Sequence, residues 1–186
     1  MAKTNKYTLM EDLFIYGASG HGKVVIEIAE ALKLNIVGIM DDNRNIKSVF
    51  DYQVIPPFNS KAQIVLAIGN NITRKKIVQK NPNWSYRTLT HPKANISTRS
   101  KLRSGSVVMA GVTINTSVLI KSHCIINTNA SIDHDCVIDD FAHISPNVAL
   151  AGNVKVGEGA HIGIGACVLP NINIGKWSVV GAGAVV

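Results

Sequence analysis

A repeat of six residues runs from Ala94 to Val186 and constrains the fold more than any other feature of the sequence. Every sixth residue from Ile96 onward is a branched aliphatic, and the residue two positions earlier is always small or β-branched. The sixteen aliphatic positions are Ile96, Leu102, Val108, Ile114, Ile120, Ile126, Ile132, Ile138, Ile144, Leu150, Val156, Ile162, Val168, Ile174, Val180 and Val186. A period of six fits neither an α-helix nor an ordinary strand, and it predicts a hexapeptide β-solenoid.

The repeat also predicts how the coils of this solenoid stack. Two inward positions separated by one outward position form a short strand, because side chains alternate across a strand. Three hexapeptides then complete one triangular coil, so residues 18 apart lie above one another, and the coils stack about 4.8 Å apart. Asn, Asp, Ser and Gly are common between the aliphatic positions and adopt turn or left-handed conformations at low cost.

The first half of the chain predicts a separate α/β domain. The apolar segment 12–16, the glycine turn 17–22 and the helical pattern 23–32 follow one another like the opening of a nucleotide-binding βαβ unit. A second strand, 35–40, ends at Asp41 and Asp42, about 20 residues past the turn, where such folds place an acidic residue on a ribose or base. Further expected elements are an edge segment at 53–57, a buried strand at 62–68, a basic helix at 72–80 and a strand at 86–90. We expect two domains, 1–90 and 91–186.

The glycine turn indicates phosphate binding without matching a standard motif. Gly17, four residues, Gly22 and Lys23 approach the P-loop pattern, but Val24 stands where Ser or Thr would hold magnesium. The spacing of Gly17, Gly20 and Gly22 also departs from the dinucleotide fingerprint. An NTPase is therefore disfavoured, and the turn fits a phosphate at a helix N-terminus. A tight strand-to-helix turn with no ligand remains the alternative for the glycines alone.

Composition and spacing exclude several classes of function. The formal net charge is +7, but no basic run is dense and aromatic residues are few, which disfavours a nucleic-acid partner. No apolar run is long enough to span a membrane and no secretory signal follows Met1, so we expect a cytoplasmic protein. The three cysteines indicate reduced thiols rather than a disulfide framework. No histidine pair has the five-residue spacing of a solenoid zinc site, so we expect no metal.

Several motifs together resemble one family of enzymes. These are the segments 16–22, 67–71, 74–76, 127–128 and 132–137. They are similar to the nucleotide-sugar N-acetyltransferases of the bacillosamine pathway, within the sialic acid O-acetyltransferase-like family of the hexapeptide-repeat acyltransferase superfamily. The resemblance covers nearly the whole chain from about residue 12. It implies a Rossmann-like α/β domain followed by an all-β left-handed parallel β-helix.

The resemblance also implies a substrate, a donor and an assembly. The acceptor would be a UDP-4-amino-sugar, as in the synthesis of UDP-N,N'-diacetylbacillosamine for glycan biosynthesis, and acetyl-CoA would be the acyl donor. The assembly would be a homotrimer with active sites between subunits. Outward aliphatic residues of the solenoid are consistent with such a partner surface. They include Val107, Ile125, Val137, Val179 and Val185.

Site residues follow from the same resemblance. His134 would be the general base and Asp135 the acidic neighbour that raises its basicity, although the family member compared most closely has Glu at that position. The nucleotide sugar would be held by Ser19, Gly20, His21, Asp41, Asp42, Gly69 and Asn70, and Asn127 would face the sugar amine. The cofactor would be bound by His143, Ile164 and Ala182, the last of which replaces a glycine.

The residue types suit this chemistry. An amino sugar is mostly ammonium near neutral pH, whereas a neutral imidazole can take a proton as the nitrogen attacks a thioester. An adjacent carboxylate fixes the tautomer and stabilises the imidazolium. The 18-residue spacing places Thr116 below His134 and Gly152 above it, which leaves a gap beside the ring. The same spacing stacks His143 on His161, and for His161 and His123 we expect structural roles.

Two other functions stay open at this point. One is an O-acetyltransferase that acts on a sugar or sialic acid hydroxyl. The other is a non-catalytic nucleotide-sugar-binding module, which the pairing of His134 with Asp135 disfavours.

Overall fold

The structure is a computed structural model that describes residues 12–186. The first eleven residues of the expected N-terminal domain lie outside this range. Within it, two helices and six strands form an α/β domain, and sixteen two-residue strands form a β-solenoid. None of the helices in the described range is long and apolar enough to cross a membrane.

The α/β domain is built on one six-stranded sheet with the order β3-β4-β2-β1-β5-β6. Its elements are β1 (Leu13–Tyr16), α1 (Gly20–Ala31), β2 (Ile36–Met40), β3 (Ser48–Val49), β4 (Tyr52–Ile55), β5 (Gln63–Leu66), α2 (Asn71–Lys80) and β6 (Ser85–Tyr86). All pairs are parallel except β3 with β4. The first strand lies in the middle, between β2 and β5. The loops after β1 and β5 therefore leave the same edge side by side, and both lead into helices.

The two helices cover opposite faces of this sheet. Leu13 and Ile15 of β1 are buried in one cluster with α1 side chains such as Ile26. Tyr16 belongs to a second cluster, which contains Ile77 of α2. Alternate residues of one strand point to opposite faces, so the two clusters mark the two sides of the sheet. The domain therefore has three layers, with the sheet between the two helices, and the N-termini of both helices lie at one edge of the sheet.

The solenoid predicted from the repeat is confirmed as a parallel β-helix with three faces. Its strands are β7 (Leu89–Thr90), β8 (Asn95–Ile96), β9 (Lys101–Leu102), β10 (Val107–Val108), β11 (Thr113–Ile114), β12 (Leu119–Ile120), β13 (Ile125–Ile126), β14 (Ser131–Ile132), β15 (Val137–Ile138), β16 (His143–Ile144), β17 (Ala149–Leu150), β18 (Lys155–Val156), β19 (His161–Ile162), β20 (Cys167–Val168), β21 (Asn173–Ile174) and β22 (Val179–Val180). The first face contains β7, β10, β13, β16, β19 and β22; the second contains β8, β11, β14, β17 and β20; the third contains β9, β12, β15, β18 and β21. Strands pair with those 18 residues away, as in Ile125 with His143.

One expected strand, at 86–90, is wrong as a single element. The amide of Arg87 donates to the carbonyl oxygen of Ile64 in the first sheet, at 2.9 Å. The amide of Leu89 donates instead to the carbonyl oxygen of Ser106 in the solenoid, at 3.0 Å. The chain therefore changes sheets between these two residues, and β7 is already the first strand of the solenoid.

The corners of the solenoid use left-handed backbone at every sixth residue. From 105 to 183 all fourteen such positions have φ between 57° and 73°. They are Gly105, Gly111, Ser117, His123, Asn129, Asp135, Phe141, Asn147, Asn153, Gly159, Gly165, Asn171, Trp177 and Gly183. Asn, Asp and Gly adopt this conformation readily, but a bulky side chain does so at a cost of about 1–2 kcal/mol. At Phe141 the ring stacks on that of His123, with centroids 5.1 Å apart at an angle of 10°, and this contact offsets part of the cost.

The first solenoid face carries the α/β domain. Val107 and Ile125, which the sequence suggested as part of a partner surface, are each 1% exposed and pack in the cluster that contains α1. That expectation is wrong for these two residues because the chain's own α/β domain covers them. Val179 and Val185, on later coils, are 77% and 72% exposed.

Candidate active site

The glycine turn leaves an open helix N-terminus at the sheet edge. Gly17 has φ of 124°, and a Cβ there would lie 2.5 Å from the carbonyl oxygen of Ala67. A Cβ at Gly22 would collide with the carbonyl oxygen of Gly17, whereas one at Gly20 would meet only open space. The N-cap residue Ser19 makes no side-chain cap, and the first turn of α1 has no acidic residue. The first amides of α1 are therefore free to bind an anion.

Both aspartates after β2 lie beside this turn and accept hydrogen bonds within the protein. Asp41 accepts from the amide of Ala18 at 2.7 Å, so it holds the turn. Asp42 accepts from the hydroxyl of Tyr16 at 2.6 Å. Burial, and then this hydrogen bond, raise the pKa of Tyr16. A cavity of about 320 Å³ beside Asp42 is also lined by Tyr16, Phe58, Lys76, Lys80 and Trp84.

A second cavity, of about 380 Å³, lies between the start of α2 and the first solenoid face, and we call it the interdomain cleft. It is lined by Gly69, Asn70, Asn71, Ile72, His143, Gly159, His161, Trp177 and Val179. The cleft thus brings two residues expected to bind the nucleotide sugar, Gly69 and Asn70, to one expected to bind the cofactor. The side-chain oxygen of Asn70 is already engaged, because it caps α2 by accepting from the amide of Thr73 at 2.9 Å.

Hydrogen bonding fixes the tautomer of His143 in this cleft. Its Nε2 lies 3.1 Å from Nδ2 of Asn127, and Oδ1 of Asn127 accepts from the amide of Thr128 at 2.9 Å. The amide nitrogen of Asn127 therefore donates to Nε2, which places the ring proton on Nδ1. Burial, followed by the neighbouring His161 and Arg74, lowers the pKa of His143 to about 3. His143 is consequently neutral throughout the physiological range.

Two further histidines border the same region. The His161 ring stacks on His143 with centroids 4.6 Å apart, as the repeat predicted, and its Nε2 lies 2.9 Å from Oγ of Ser145. His21 is the second residue of α1, and its Nε2 is buried without a hydrogen-bond partner. Burial, and then the charge of Arg74, lower the pKa of His21 to about 4. Both the glycine turn and the cleft therefore present neutral imidazoles.

His134 and Asp135 form a dyad at a corner of the solenoid after β14. Nδ1 of His134 lies 2.8 Å from Oδ2 of Asp135, and the side chains are 54% and 59% exposed. The hydrogen bond to Asp135, and then the charge of Asp133, raise the pKa of His134. A Cβ at Gly152 would lie 2.6 Å from Cε1 and 2.7 Å from Nε2 of the ring, so only glycine leaves room there. Nε2 has no hydrogen-bond partner among residues 12–186, and the ring borders a cavity of about 410 Å³ that Thr116 also lines.

The dyad and the interdomain cleft do not share a face of one chain. His134 follows a strand of the second face, whereas His143 lies on the first face. Ile164 and Ala182 occupy the corner between those faces, where the amide of Gly183 donates to the carbonyl oxygen of Ile164 at 2.8 Å. Ile164 is 53% exposed and Ala182 is also exposed. Within residues 12–186, no group of three or more His, Cys, Asp or Glu side chains could hold a metal ion.

The sequence reasoning missed two side chains that join the cleft to the solenoid. Asn71 donates through Nδ2 to the carbonyl oxygen of Gly159 at 3.0 Å. Arg74 is 1% exposed and reaches the solenoid from α2. The sequence had placed Asn71 at the end of the motif 67–71 and Arg74 in the basic helix 72–80, with no role for either side chain. Their spacing from each other and from the buried Ile77, in steps of three, was the available signal that they share a buried helix face.

Comparison with known proteins agrees with these features. A family model described as the PglD N-terminal domain matches residues 12–81. The structure of a histidine-to-asparagine mutant of perosamine N-acetyltransferase from Caulobacter crescentus, in complex with CoA and GDP-perosamine, is 37% identical in sequence. The match covers 94% of this chain and 88% of that chain, with a TM-score of 0.90.

Two further solved structures match over similar lengths. The acetyltransferase domain of PglB from Neisseria gonorrhoeae is 37% identical, with coverage of 95% of this chain and 91% of that chain and a TM-score of 0.88. A second structure of that domain contains acetyl coenzyme A. WeeI from Acinetobacter baumannii is 25% identical, with coverage of 94% and 90% and a TM-score of 0.84. The chain therefore belongs to the nucleotide-sugar N-acetyltransferases of the hexapeptide-repeat family and is an acyltransferase that acts on an amino sugar.

Proposed function

We propose that the protein transfers the acetyl group of acetyl-CoA to the amine of a UDP-linked 4-amino sugar, with His134 as the general base. The observation that carries this proposal is the dyad, in which a carboxylate 2.8 Å from Nδ1 leaves Nε2 of a half-exposed imidazole free. The perosamine N-acetyltransferase from Caulobacter crescentus binds CoA together with GDP-perosamine, which supports a nucleotide-linked amino sugar as acceptor.

The α/β domain, which would end near residue 90, would bind the nucleotide in a Rossmann-like manner. The chain moves from β1 to β2 on one side and returns to β5 on the other, so β1 and β5 flank a topological switch point. Open α/β sheets bind ligands at such points, outside the carboxyl ends of the strands. The free amides of Ser19, Gly20 and His21 would hold the diphosphate. Asp41 and Asp42 on one side, with Gly69 and Asn70 on the other, would hold the rest of the nucleotide sugar.

The reaction needs one proton removed and no covalent enzyme intermediate. The free amine attacks the thioester carbon, so a nitrogen–carbon bond forms and the carbon–sulfur bond to CoA then breaks. Nε2 of His134 takes the proton that the nitrogen loses, while Asp135 holds Nδ1 and stabilises the imidazolium. Asn127 would contact the sugar amine from the cleft, beside a His143 that is fixed as a neutral acceptor.

The acyl donor would lie along the corner that carries Ile164 and Ala182 and reach His143. A Cβ at Gly163 would lie 2.7 Å from the amide nitrogen of Ala182 in the next coil, whereas one at Gly165 would meet open space, so this corner is close-packed at Gly163 and open at Gly165. The dyad and the cleft lie on different faces of one chain. A homotrimer with sites between subunits would bring the dyad of one subunit to the cleft of its neighbour.

Thiol release from acetyl-CoA tests the reaction directly. We expect release, and an N-acetylated product by mass spectrometry, with a UDP-linked 4-amino sugar. The GDP-linked sugar bound by the Caulobacter crescentus relative makes GDP the second nucleotide to assay. Acetylation of hydroxyl acceptors alone would identify an O-acetyltransferase, and nucleotide-sugar binding with no thiol release would identify a binding module.

The pH dependence should report the dyad. His134 acts when it is deprotonated, so kcat/KM falls as pH drops through its pKa, which Asp135 holds above the usual value. Replacing Asp135 with Asn exchanges the charged acceptor of Nδ1 for a neutral amide oxygen, which weakens the first of the causes that raise this pKa. We therefore expect the acidic limb of the profile to move to lower pH and kcat to fall. The ionisation of the sugar amine is common to both enzymes, so the difference between profiles isolates the dyad, and the surface variant Asp51→Asn serves as control.

A side chain at position 152 should displace the imidazole. A Cβ on Gly152 lies within 2.7 Å of two ring atoms of His134, and the ring can escape only by turning away from its productive position. We expect Gly152→Ala to lower kcat roughly 10- to 100-fold, since small misplacements of a catalytic group have effects of this order. In the control Gly175→Ala, the new Cβ meets only the mobile Oγ of Ser178, at 3.1 Å. Equal activity in both variants would contradict the role of His134.

A further inference from the structure

Arg74 is a buried cation that links the α/β domain to the solenoid. Its side chain leaves α2 and is 1% exposed. Nε donates to the carbonyl oxygen of His123 at 2.8 Å, and Nη2 donates to that of Phe141 at 2.7 Å. These two acceptors lie 18 residues apart at left-handed corners, so the guanidinium bridges two successive coils. The geometry fits the planar fork of arginine and cannot be reproduced by one ammonium.

The same guanidinium also holds the loop that follows β5. Nη1 donates to the carbonyl oxygens of Ile68 and Gly69, at 2.8 and 3.3 Å. Nη2 donates to Oδ1 of Asn71 at 2.9 Å, and Nδ2 of Asn71 in turn donates to the solenoid carbonyl of Gly159. One side chain therefore fixes the rim of the interdomain cleft to the coil that carries His143 on its face.

The charge of Arg74 is not explained by stability alone. Its acceptors among residues 12–186 are four carbonyl oxygens and one amide oxygen, none of them a carboxylate. Burying a cation without a counter-ion is costly, and apolar replacements of buried ionic groups are often at least as stable. Burial lowers the pKa of Arg74 to about 10, so it stays charged at neutral pH. Its field lowers the pKa values of His21 and His143, after the effect of their own burial.

We propose that Arg74 is a positioning residue for acetyl transfer, which locks the loop 68–71 at a fixed distance from His143 and Asn127 on the solenoid. The proposal rests on the assignment of this loop to the nucleotide sugar. Arg74 does not touch the substrate. It acts by holding the rim of the cleft, and with it the acceptor sugar, in register with the solenoid groups.

Two variants of Arg74 separate this role from ordinary packing. Arg74→Met removes every donor, and Arg74→Lys keeps the charge but loses the fork. Below the unfolding temperature of each protein, we expect kcat/KM for the nucleotide sugar to fall roughly 10²-fold in the Met variant and about 10-fold in the Lys variant, as misplacement of substrate predicts. The KM for acetyl-CoA should change less than twofold. Ile26→Val, a core truncation on the other face of the sheet, is the control for lost stability and should leave both constants unchanged.

Hydrogen exchange supplies a readout that does not depend on activity. In both Arg74 variants, the amides of 68–73 should exchange faster than in wild type, while those of β1 and β2 stay protected. Unchanged exchange in this loop, or kinetic losses matched by Ile26→Val, would overturn the inference. If the loop exchanges faster in the variants but the wild-type protein acetylates no nucleotide-linked amino sugar, the proposed function is refuted. The structural link between Arg74 and the loop then still stands.

Discussion

Replacing His134 with alanine is expected to lower kcat by about 10²–10⁴-fold, the usual range for removal of a general base. The side chain is 54% exposed, so the variant should unfold close to the wild-type temperature. Binding of the nucleotide sugar should change little, because the residues proposed to hold it, which are those of the α/β domain and Asn127, are unaltered. The measurement is steady-state thiol release, with both substrates varied.

Two controls apply to this variant: the removal of another histidine, and the addition of imidazole to fill the space that the His134 ring leaves. His91→Ala removes a histidine whose Nδ1 accepts from the amide of Lys93 at 2.9 Å, and it should leave kcat unchanged. Added imidazole should restore part of the activity of His134→Ala, because the space beside Gly152 and Thr116 remains open. A loss confined to KM would contradict the assignment of His134 as the base.

Gly17→Ala is expected to cost about 3 kcal/mol or more of unfolding free energy. Its φ of 124° disfavours any Cβ, and that Cβ would lie 2.5 Å from the backbone of Ala67 on β5's outgoing loop. Strained backbone costs about 1–3 kcal/mol and overpacking about the same again. This strain lies between β1 and β5, the central strands of the sheet, and therefore destabilises the whole domain. Chemical denaturation should show a lower midpoint concentration of denaturant.

Gly20→Ala is the matched variant in the same turn. A Cβ there meets nothing within 4 Å and its φ is not positive, so the free energy of unfolding should stay within error of wild type. Because Gly20 begins α1, the new methyl group borders the amides proposed to bind the diphosphate, and KM for the nucleotide sugar should rise. A Gly17→Ala protein as stable as Gly20→Ala would refute the steric account of the turn.

The solenoid could be predicted in detail because one physical rule repeats in it. Inward positions require aliphatic side chains in every hexapeptide, and stacking at 18 residues follows from three faces. That arithmetic placed Gly152 above His134 and His161 on His143. It could not show which outward residues are covered. Val107 and Val179 occupy equivalent positions, but only the first lies under the α/β domain.

The candidate site was less predictable because much of it depends on contacts between domains. His134 and Asp135 are neighbours in sequence, so their pairing could be predicted from local geometry. The interdomain cleft joins residues about 70 positions apart, as when Gly69 faces His143. In the sequence, only its position on the same helix face as Ile77 distinguishes the buried Arg74 from the exposed Lys76.

One row of left-handed corners includes a position that also has a proposed chemical role. Ser117, Asp135, Asn153 and Asn171 form one such row, spaced by 18 residues. Asn153 and Asn171 are suited to this backbone, and their amides bond to each other at 2.9 Å. Asp135 shares their conformation but carries the carboxylate that orients His134. On the proposed mechanism this row contains a single functional carboxylate. Exchange among small polar residues should therefore be tolerated at Ser117, Asn153 and Asn171 but should lower kcat at Asp135.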